Sequence, residues 1–556
     1  MTKYSRWLTT VWSSIPIYFF IGSWIFLSFE THAQSKKFVI YFKDKQGGNP
    51  YTISKPEQFL AARSIQRRKA QNIILDSTDL PVSPAYLNGL KERGATVLYP
   101  LKWVNGAIVE ANPDLINAIQ DLPFVSNTKA LNSKVKDSPI RKTNKNGIQN
   151  INYGESITQN SMLGIDSMHA WGFHGENKLI AVLDAGFLNV NGHTAFAHIF
   201  QNNRLLGTRD LVERDGDVYN DHWHGAAVLS NIGGYMQGNL VGGAYESSYY
   251  LIRTEEVRVE NEYECAYWVA GLELADSLGA DILNSSLGYT TFDTRSLDYS
   301  ITILDGNSTI ASKSASMAAR KGIVVLNSAG NEGENNSWGG WISAPADADS
   351  ILTVGSVTSG QSHSGFSGKG PTADNRIKPD LVALGSGVVI ANAFTNDKTT
   401  KENGTSFASP ILCGMAAGFW QAHPELNAKQ VIELLKKSGS NHESPNNKIG
   451  WGVPNFVRAH ILAGSKPALR FPFEIQIYPN PSSGNMLYFE LIESSAVGIA
   501  HFELTDLRGA SILKDEIFFD LANQTKTIDL PFIAPGMYSI KLEMGGKQFL
   551  RKLLVQ

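Results

Sequence analysis

Cysteine is nearly missing from this chain. Its 556 residues hold two, Cys265 and Cys413, each inside an apolar stretch of helical character. Two such thiols build neither a disulfide framework nor a thiolate metal site, and both read as small buried hydrophobes. A surplus of either charge is missing too. Lys and Arg number 49 against 52 Asp and Glu, a formal charge of -3, so the chain has no electrostatic footprint for nucleic acid as a partner. Beyond residue 33 no stretch is long and apolar enough to span a bilayer. Nor is there a second Asp-Ala-Gly triplet in all-β surroundings, which an aspartic protease needs. What is present is ordinary globular composition, 42% hydrophobic and 18% charged, over a length that calls for about two to four domains.

The chain changes texture along its length. Residues 1–33 carry Lys3 and Arg6, an apolar run from Val11 to Leu27 and Thr31-His32-Ala33. That pattern is a signal peptide cut after about Ala33, with an uncleaved anchor as the alternative; either way the protein leaves the cytoplasm. Residues 34–130 alternate strands and helices. The strand Phe38–Phe42 comes first, and Ser54 with Glu57 reads as a capping box before a helix bearing Phe59, Leu60 and Ile65. A helix opened by Ser83-Pro84 and closed by Gly94 follows, then strands at Thr96–Tyr99 and Gly106–Ala111, a helix from Pro113 and a strand at Phe124–Thr128. Residues 131–159 form a linker and processing region, with Lys134, Lys136, Arg141, Lys142 and Lys145 among small polar residues.

The span 160–464 carries the chemistry. Leu179–Leu183 is a continuous apolar run, as a parallel strand buried on both faces requires, and it delivers Asp184 at its C-terminal end, where open α/β sheets gather reactive groups. His222-Trp223-His224-Gly225 follows, then Asp281–Gly288 with Ser286-Leu287-Gly288 at its end. Next come Ile323–Leu326 running into Ser328-Ala329-Gly330-Asn331, and finally Asn403-Gly404-Thr405-Ser406-Phe407-Ala408-Ser409-Pro410 before an apolar helix. A serine at a helix N-terminus sits where free N–H groups and the macrodipole favour developing negative charge. Pro410 is expected in the first turn, where no intrahelical N–H is needed. A pairing of His222 with His224 as metal ligands lacks a third partner. An α/β-hydrolase reading fails at Ala408, where Gly-x-Ser-x-Gly needs glycine, and on the order of the residues.

Taken in order as Asp184, His224, Asn331 and Ser406, these segments resemble the subtilisin-like (subtilase) serine proteases over roughly 300 residues. Ala226 stands where the histidine motif has Thr, and Leu384 where proline is usual. The resemblance implies a doubly wound α/β fold with a mainly parallel sheet. It implies Asp184, His224 and Ser406 as the triad, Asn331 as oxyanion donor, and peptide bonds of protein or peptide substrates hydrolysed through an acyl-enzyme. Ser286, Leu287 and Gly288 would pair with substrate as an added strand. Together with Ser328, Ala329 and Gly330 they would wall the specificity pocket, with the loop Trp338–Ser343 near its floor. No cofactor and no metal are required for that chemistry. Family members often carry structural calcium, but no run of carboxylates here can be assigned to it. Residues 34–130 are similar in order to the inhibitory propeptide of subtilases, with a helical insert between about 48 and 80. An inactive, surface-anchored binding protein on the same fold is the alternative function.

From 473 to 556 the periodicity becomes that of antiparallel strands, and Gly545-Gly546 reads as a hairpin turn. Tyr478-Pro479-Asn480-Pro481 with Gly484, Asp506-Leu507-Arg508-Gly509, Gly536-Met537-Tyr538 and Lys552–Val555 resemble the C-terminal sorting domain of type IX secretion. That implies a C-terminal β-sandwich, the type IX machinery as a partner, and export through the periplasm to the medium or the outer-membrane surface.

Overall fold

The computed structural model describes residues 35–131, 151–334, 338–464, 474–483, 486–492, 498–519, 525–544 and 547–556. The signal-peptide segment, most of the basic linker, Gly484 and the Gly545-Gly546 turn lie outside them.

The N-terminal unit is a four-stranded antiparallel sheet built from β1 (Lys36–Phe42), β2 (Thr96–Leu101), β3 (Gly106–Ala111) and β4 (Val125–Leu131), in the order β2-β3-β1-β4. Helices α1 (Ala62–Ala70), α2 (Pro84–Glu92) and α3 (Ile116–Gln120) accompany it. The expected capping box does not form. Ser54 bonds Thr52 through their hydroxyls, Pro56–Gln58 makes a single 3-10 turn, and α1 starts only after extended Ala61. Tertiary contact overrides the local signal here, because the Ala61 N–H donates to the Ser277 carbonyl of the next unit.

That next unit is a seven-stranded, wholly parallel sheet. Its strands are β5 (Leu179–Asp184), β6 (Leu205–Asp210), β7 (Ser248–Arg253), β8 (Ile282–Ser285), β9 (Val324–Ser328), β10 (Leu352–Val357) and β11 (Leu381–Leu384), ordered β11-β10-β9-β8-β5-β7-β6. All six residues of β5 are buried, and they alternate between two cores. Ile180 and Val182 face α4 (His224–Gly233) and α7 (Thr405–Ala422), numbered in chain order around α5 (Glu262–Leu278) and α6 (Ile310–Arg320). Leu179, Ala181 and Leu183 face α5 and α6. Leu384, the departure from proline, is buried in the first core. Residues 154–161, expected in part as linker, form helical turns held on this unit, with Gln159 Nε2 donating to Asn231 Oδ1 at 2.7 Å and to the Val389 carbonyl at 3.1 Å.

The second core is shared with the N-terminal unit: Val39, Leu101, Ile108 and Leu131 pack into it. Beside this apolar seam lies a buried ionic cluster. Asp276 near the end of α5 takes Arg67 at 2.5 Å and Arg68 at 2.9 Å through one carboxylate oxygen and Lys102 at 2.7 Å through the other. Arg68 also holds Asp79 at 2.7 Å, and Asp79 holds Lys321 at 2.8 Å. The insert thus docks α1 across the end of α5. Gln71 extends the contact, donating to the Gly322 carbonyl and accepting from the Ala428 N–H at 2.9 Å. A cavity of about 720 Å³ opens along this seam between Gln71, Ile73, Arg376 and Trp451.

The C-terminal unit stacks a three-stranded sheet on a four-stranded one around Leu487, Phe489, Phe502, Leu504 and Leu542, a sandwich as expected. The strands Gly536–Met544 and Lys547–Val555 pair antiparallel from Met544 opposite Lys547 to Gly536 opposite Val555. The outer edge of the last strand is clasped by the Tyr478-Pro479-Asn480-Pro481 segment. Asn480 Oδ1 accepts from the Leu554 N–H at 3.0 Å, and the Ser482 N–H donates to the Leu554 carbonyl at 2.7 Å.

The ionic cluster yields a prediction. Burial opposes ionisation of Asp276, but Lys102, Arg67 and Arg68 outweigh it and hold the carboxyl far below the usual carboxylate range. A depressed folded pKa means the contribution is complete above the unfolded value of about 4 and is lost only as pH falls through the folded pKa. Asp276→Ala in a Ser406→Ala background should therefore destabilise docking of the N-terminal unit at neutral pH by about 3–5 kcal/mol, because three cations are left buried without their counter-charge. Denaturant unfolding of the two proteins measures this; equal midpoints would contradict it.

Candidate active site

Three chain segments converge at the C-terminal ends of β5, β8 and β9. Asp184 ends β5 with no exposed surface, and its Oδ1 accepts from the Ala185 N–H at 2.8 Å and from His224 Nδ1 at 2.8 Å. His224 is the first residue of α4, set close by Gly225. A Cβ at that position would stand 2.3 Å from the Gly186 carbonyl and 2.8 Å from the Asp184 Cβ, so only glycine lets the strand and helix meet this tightly. Ala226 is wholly buried in the core, so the departure from Thr takes a hydroxyl out of an apolar interior. Burial works against protonation of His224, but the charge and hydrogen bond of Asp184 outweigh it, and the imidazole pKa ends above its ordinary value.

Ser406 is the second residue of α7, a helix with sixteen of its eighteen residues buried. Pro410 is therefore its sixth residue and lies beyond the first turn, contrary to the expectation from sequence. The reason is local to the site. An N–H at position 410 would bond the Ser406 carbonyl; proline leaves that oxygen open, and the Ser286 hydroxyl donates to it at 2.8 Å. In return the Ser406 hydroxyl donates to the Ser286 carbonyl at 3.3 Å, so in this conformation its proton is directed at that carbonyl and not at the imidazole. Contact between the His224 and Phe407 rings, centroids 5.8 Å apart, keeps the helix start beside the base. Such bonds commonly tighten only with substrate in place.

Asn331 follows Gly330, whose φ of +94° places it in the left-handed region that suits glycine. The amide oxygen of Asn331 accepts from both the N–H and the hydroxyl of Thr405, each at 2.9 Å. With the oxygen so committed, the group offered to a ligand is the N–H₂ donor. Ser286 and Ser328 are buried, Ala329 fully so, Leu287 partly, and Gly288 is exposed. Gly288 and Gly330 flank one residue, Ser343: a Cβ on the first would meet its Oγ at 2.1 Å and on the second at 2.9 Å. Trp338 is buried beneath this wall, packed with Ala329 and Ile342, and its indole N–H donates to the Trp341 and Ile342 carbonyls. Among the described residues no group of three or more His, Cys, Asp and Glu is arranged to hold a metal ion.

Sequence reasoning missed Thr405 as the clamp on Asn331, although it lies inside the motif that drew attention to Ser406. It also missed Asn284, which accepts from Ser409 at 2.8 Å and donates to Ser286, tying α7 to the substrate edge.

The family model described as the subtilase family, peptidase S8, matches residues 175–452, half of the chain. The chain belongs to the subtilase family. Residues 37–149 match the peptidase S8 propeptide domain of Bacteroidota, and residues 476–556 match the secretion system C-terminal sorting domain. This subtilase is 28% identical over 281 residues to subtilisin DY of Bacillus licheniformis, spanning 50% of this chain and 90% of that one. It is 26% identical over 360 residues to subtilisin E of Bacillus subtilis strain 168, spanning 63% and 80%. The fold is similar to that of the epidermin leader peptide processing serine protease of Staphylococcus aureus, with a TM-score of 0.54 at 18% identity over 78% of this chain and all of the other. The protein is thus a subtilisin-family serine protease with a propeptide domain and a type IX sorting domain.

Asn331→Ala should lower kcat by about 10²–10³ with little change in KM, a magnitude known from a subtilisin and carried over to this relative. Thr405→Val, which removes one of the two bonds holding the amide, should lower kcat by about tenfold, and the double variant should lose little more than Asn331→Ala alone. Additive losses would mean that Thr405 does not act through Asn331.

Proposed function

We propose that the protein is a secreted serine endopeptidase using Asp184, His224 and Ser406 as its triad and Asn331 as oxyanion donor. The observation that carries this reading is the pair of clamps around one point: Asp184 on the Nδ1 of His224, and Thr405, next to the nucleophile, on the oxygen of Asn331. Ser406 attacks the scissile carbonyl while His224 takes its proton and later gives it to the leaving amine. Asp184 fixes the tautomer in which Nε2 is the base and stabilises the imidazolium. The oxyanion that forms meets the Asn331 amide and the Ser406 N–H in the first turn of α7. Every step is carried by these side chains, and the chemistry calls for no cofactor. Substrates are proteins or peptides; the propeptide and the type IX machinery are the other partners, and the route is through the periplasm to the medium or the outer-membrane surface.

A fluorophosphonate probe should label the processed enzyme at Ser406, and Ser406→Ala should remain folded, unlabelled and without peptidase activity. Labelling elsewhere, or turnover by that variant, sinks the assignment. Because a raised pKa keeps His224 protonated to higher pH, kcat/KM should fall with acid through a midpoint above the ordinary histidine value of about 6.5. Asp184→Asn should lower kcat by about 10⁴.

Two further outcomes follow from the chain's layout. N-terminal sequencing of the active enzyme should find a start between about 130 and 165, after a cut in the basic linker. Deleting residues 473–556 should leave peptidase activity trapped in the periplasm. Normal export of the truncated chain with a lower melting temperature would instead make the sandwich a stabiliser.

A further inference from the structure

Five glutamates stand in ten residues beside the catalytic edge: Glu255, Glu256, Glu260, Glu262 and Glu264, with Arg258 as the one base among them. They occupy the loop after β7 and the first turn of α5. The Thr254 N–H donates to the Asp184 carbonyl at 2.9 Å, which fixes the start of the loop next to the triad aspartate. Glu255 accepts from the Tyr289 hydroxyl at 2.6 Å, and Tyr289 directly follows Ser286-Leu287-Gly288. A peptide laid along that edge with its reacting carbonyl at Ser406 would carry its acyl-side residues past this loop, at roughly 3.3 Å per residue.

A neighbouring set of acids is matched from within the protease unit: Arg253 lies 2.9 Å from Asp221, 3.5 Å from Asp210 and 3.6 Å from Glu213. The five glutamates are not. Arg258 reaches Glu256 at 3.0 Å, and among the described residues Lys129 and Lys37 of the N-terminal unit also face them. Lys129 pairs with Glu262. Lys37 sits over the rings of Tyr263 and Tyr267, 4.6 and 5.1 Å from their centroids, where burial lowers its pKa and Glu110, Glu256 and Glu264 pull it back up. Glu256 and Glu262 are 2% and 6% exposed, and each has one carboxylate oxygen, Oε2, without a hydrogen-bond partner among the described residues. Burial and then the nearby Asp293 push Glu260 up to about 7, and burial with mutual repulsion raises Glu255 and Glu264. Both lysines lie within the propeptide match and leave with it, so the processed enzyme keeps aromatic and carboxylate surfaces already shaped to a lysine side chain.

We infer that this acidic face selects substrates with lysine or arginine on the acyl side of the scissile bond, a few residues upstream of the cleavage point. The inference rests on the protease reading above and names the substrate class of the same site. The chain itself carries a sequence of this kind, Lys134, Lys136, Arg141, Lys142 and Lys145, just downstream of Leu131.

The test uses processed enzyme and three quenched-fluorescence peptides that differ only at the second to fourth positions upstream of the cut, with Lys, Ala or Glu there. The Lys peptide should exceed the Glu peptide in kcat/KM by about tenfold or more, and ~0.5 M salt should narrow the gap. Glu260→Gln and Glu256→Gln, each checked for folding by fluorophosphonate labelling, should reduce the Lys-to-Glu ratio. Equal rates on the three peptides, or a gap unmoved by salt and by both substitutions, overturn the inference. Enzyme that labels at Ser406 but shows no preference removes this inference alone, whereas enzyme that neither labels nor cleaves any of the three removes the protease reading with it.

Discussion

Asp184 ends a strand buried along its whole length, and the remaining parts of the site are referred to that one immobile carboxylate. A charge so deep is tolerable only because His224 and the Ala185 N–H meet it, and His224 can do so only because Gly225 has no side chain. The nucleophile reaches the same point on an independent route, at the head of a helix whose body is sealed between sheet and surface. Precision therefore comes from the two cores, which leave neither strand nor helix room to shift. Ser286 then couples the end of β8 to the start of α7 through reciprocal bonds with Ser406, one accepted by a carbonyl that Pro410 frees.

Much of this was legible in the sequence, for identifiable reasons. Leu179–Leu183 reads as a buried parallel strand because it is apolar without alternation, and the structure buries every one of its residues. Asp184 meets His224, and Asn331 meets Thr405, the neighbour of Ser406. The failures share a cause: each depended on a partner far away in the chain. Ser54 has the local signature of a cap, yet the helix start is decided by Ser277, more than two hundred residues on. Pro410 fits a first turn by local rules, yet its position is explained by Ser286. Thr405 gives no sign in sequence that its bonds go to Asn331.

The insert in the N-terminal unit shows the same limit on a larger scale. Residues 48–80 look like an addition to a familiar pattern, but their arginines reach a carboxylate at the far end of α5, away from the cleft. The unit therefore grips the protease at two places of different chemistry. One is an apolar sheet face against α5; the other is the buried cluster around Asp276.

Asp276 also ties that attachment to the exclusion of water. While the N-terminal unit is docked, the carboxylate is dry and surrounded by cations. Were the unit cut loose in the basic linker and separated, water would take the place of those cations around Asp276 and would likewise hydrate Arg67 and Arg68. Return then requires stripping hydration from several ions at once before any pair can form. Re-docking would thus be a cooperative step in which several ions lose water together, and cutting the linker, which turns a tethered contact into a bimolecular one, is what would make separation lasting.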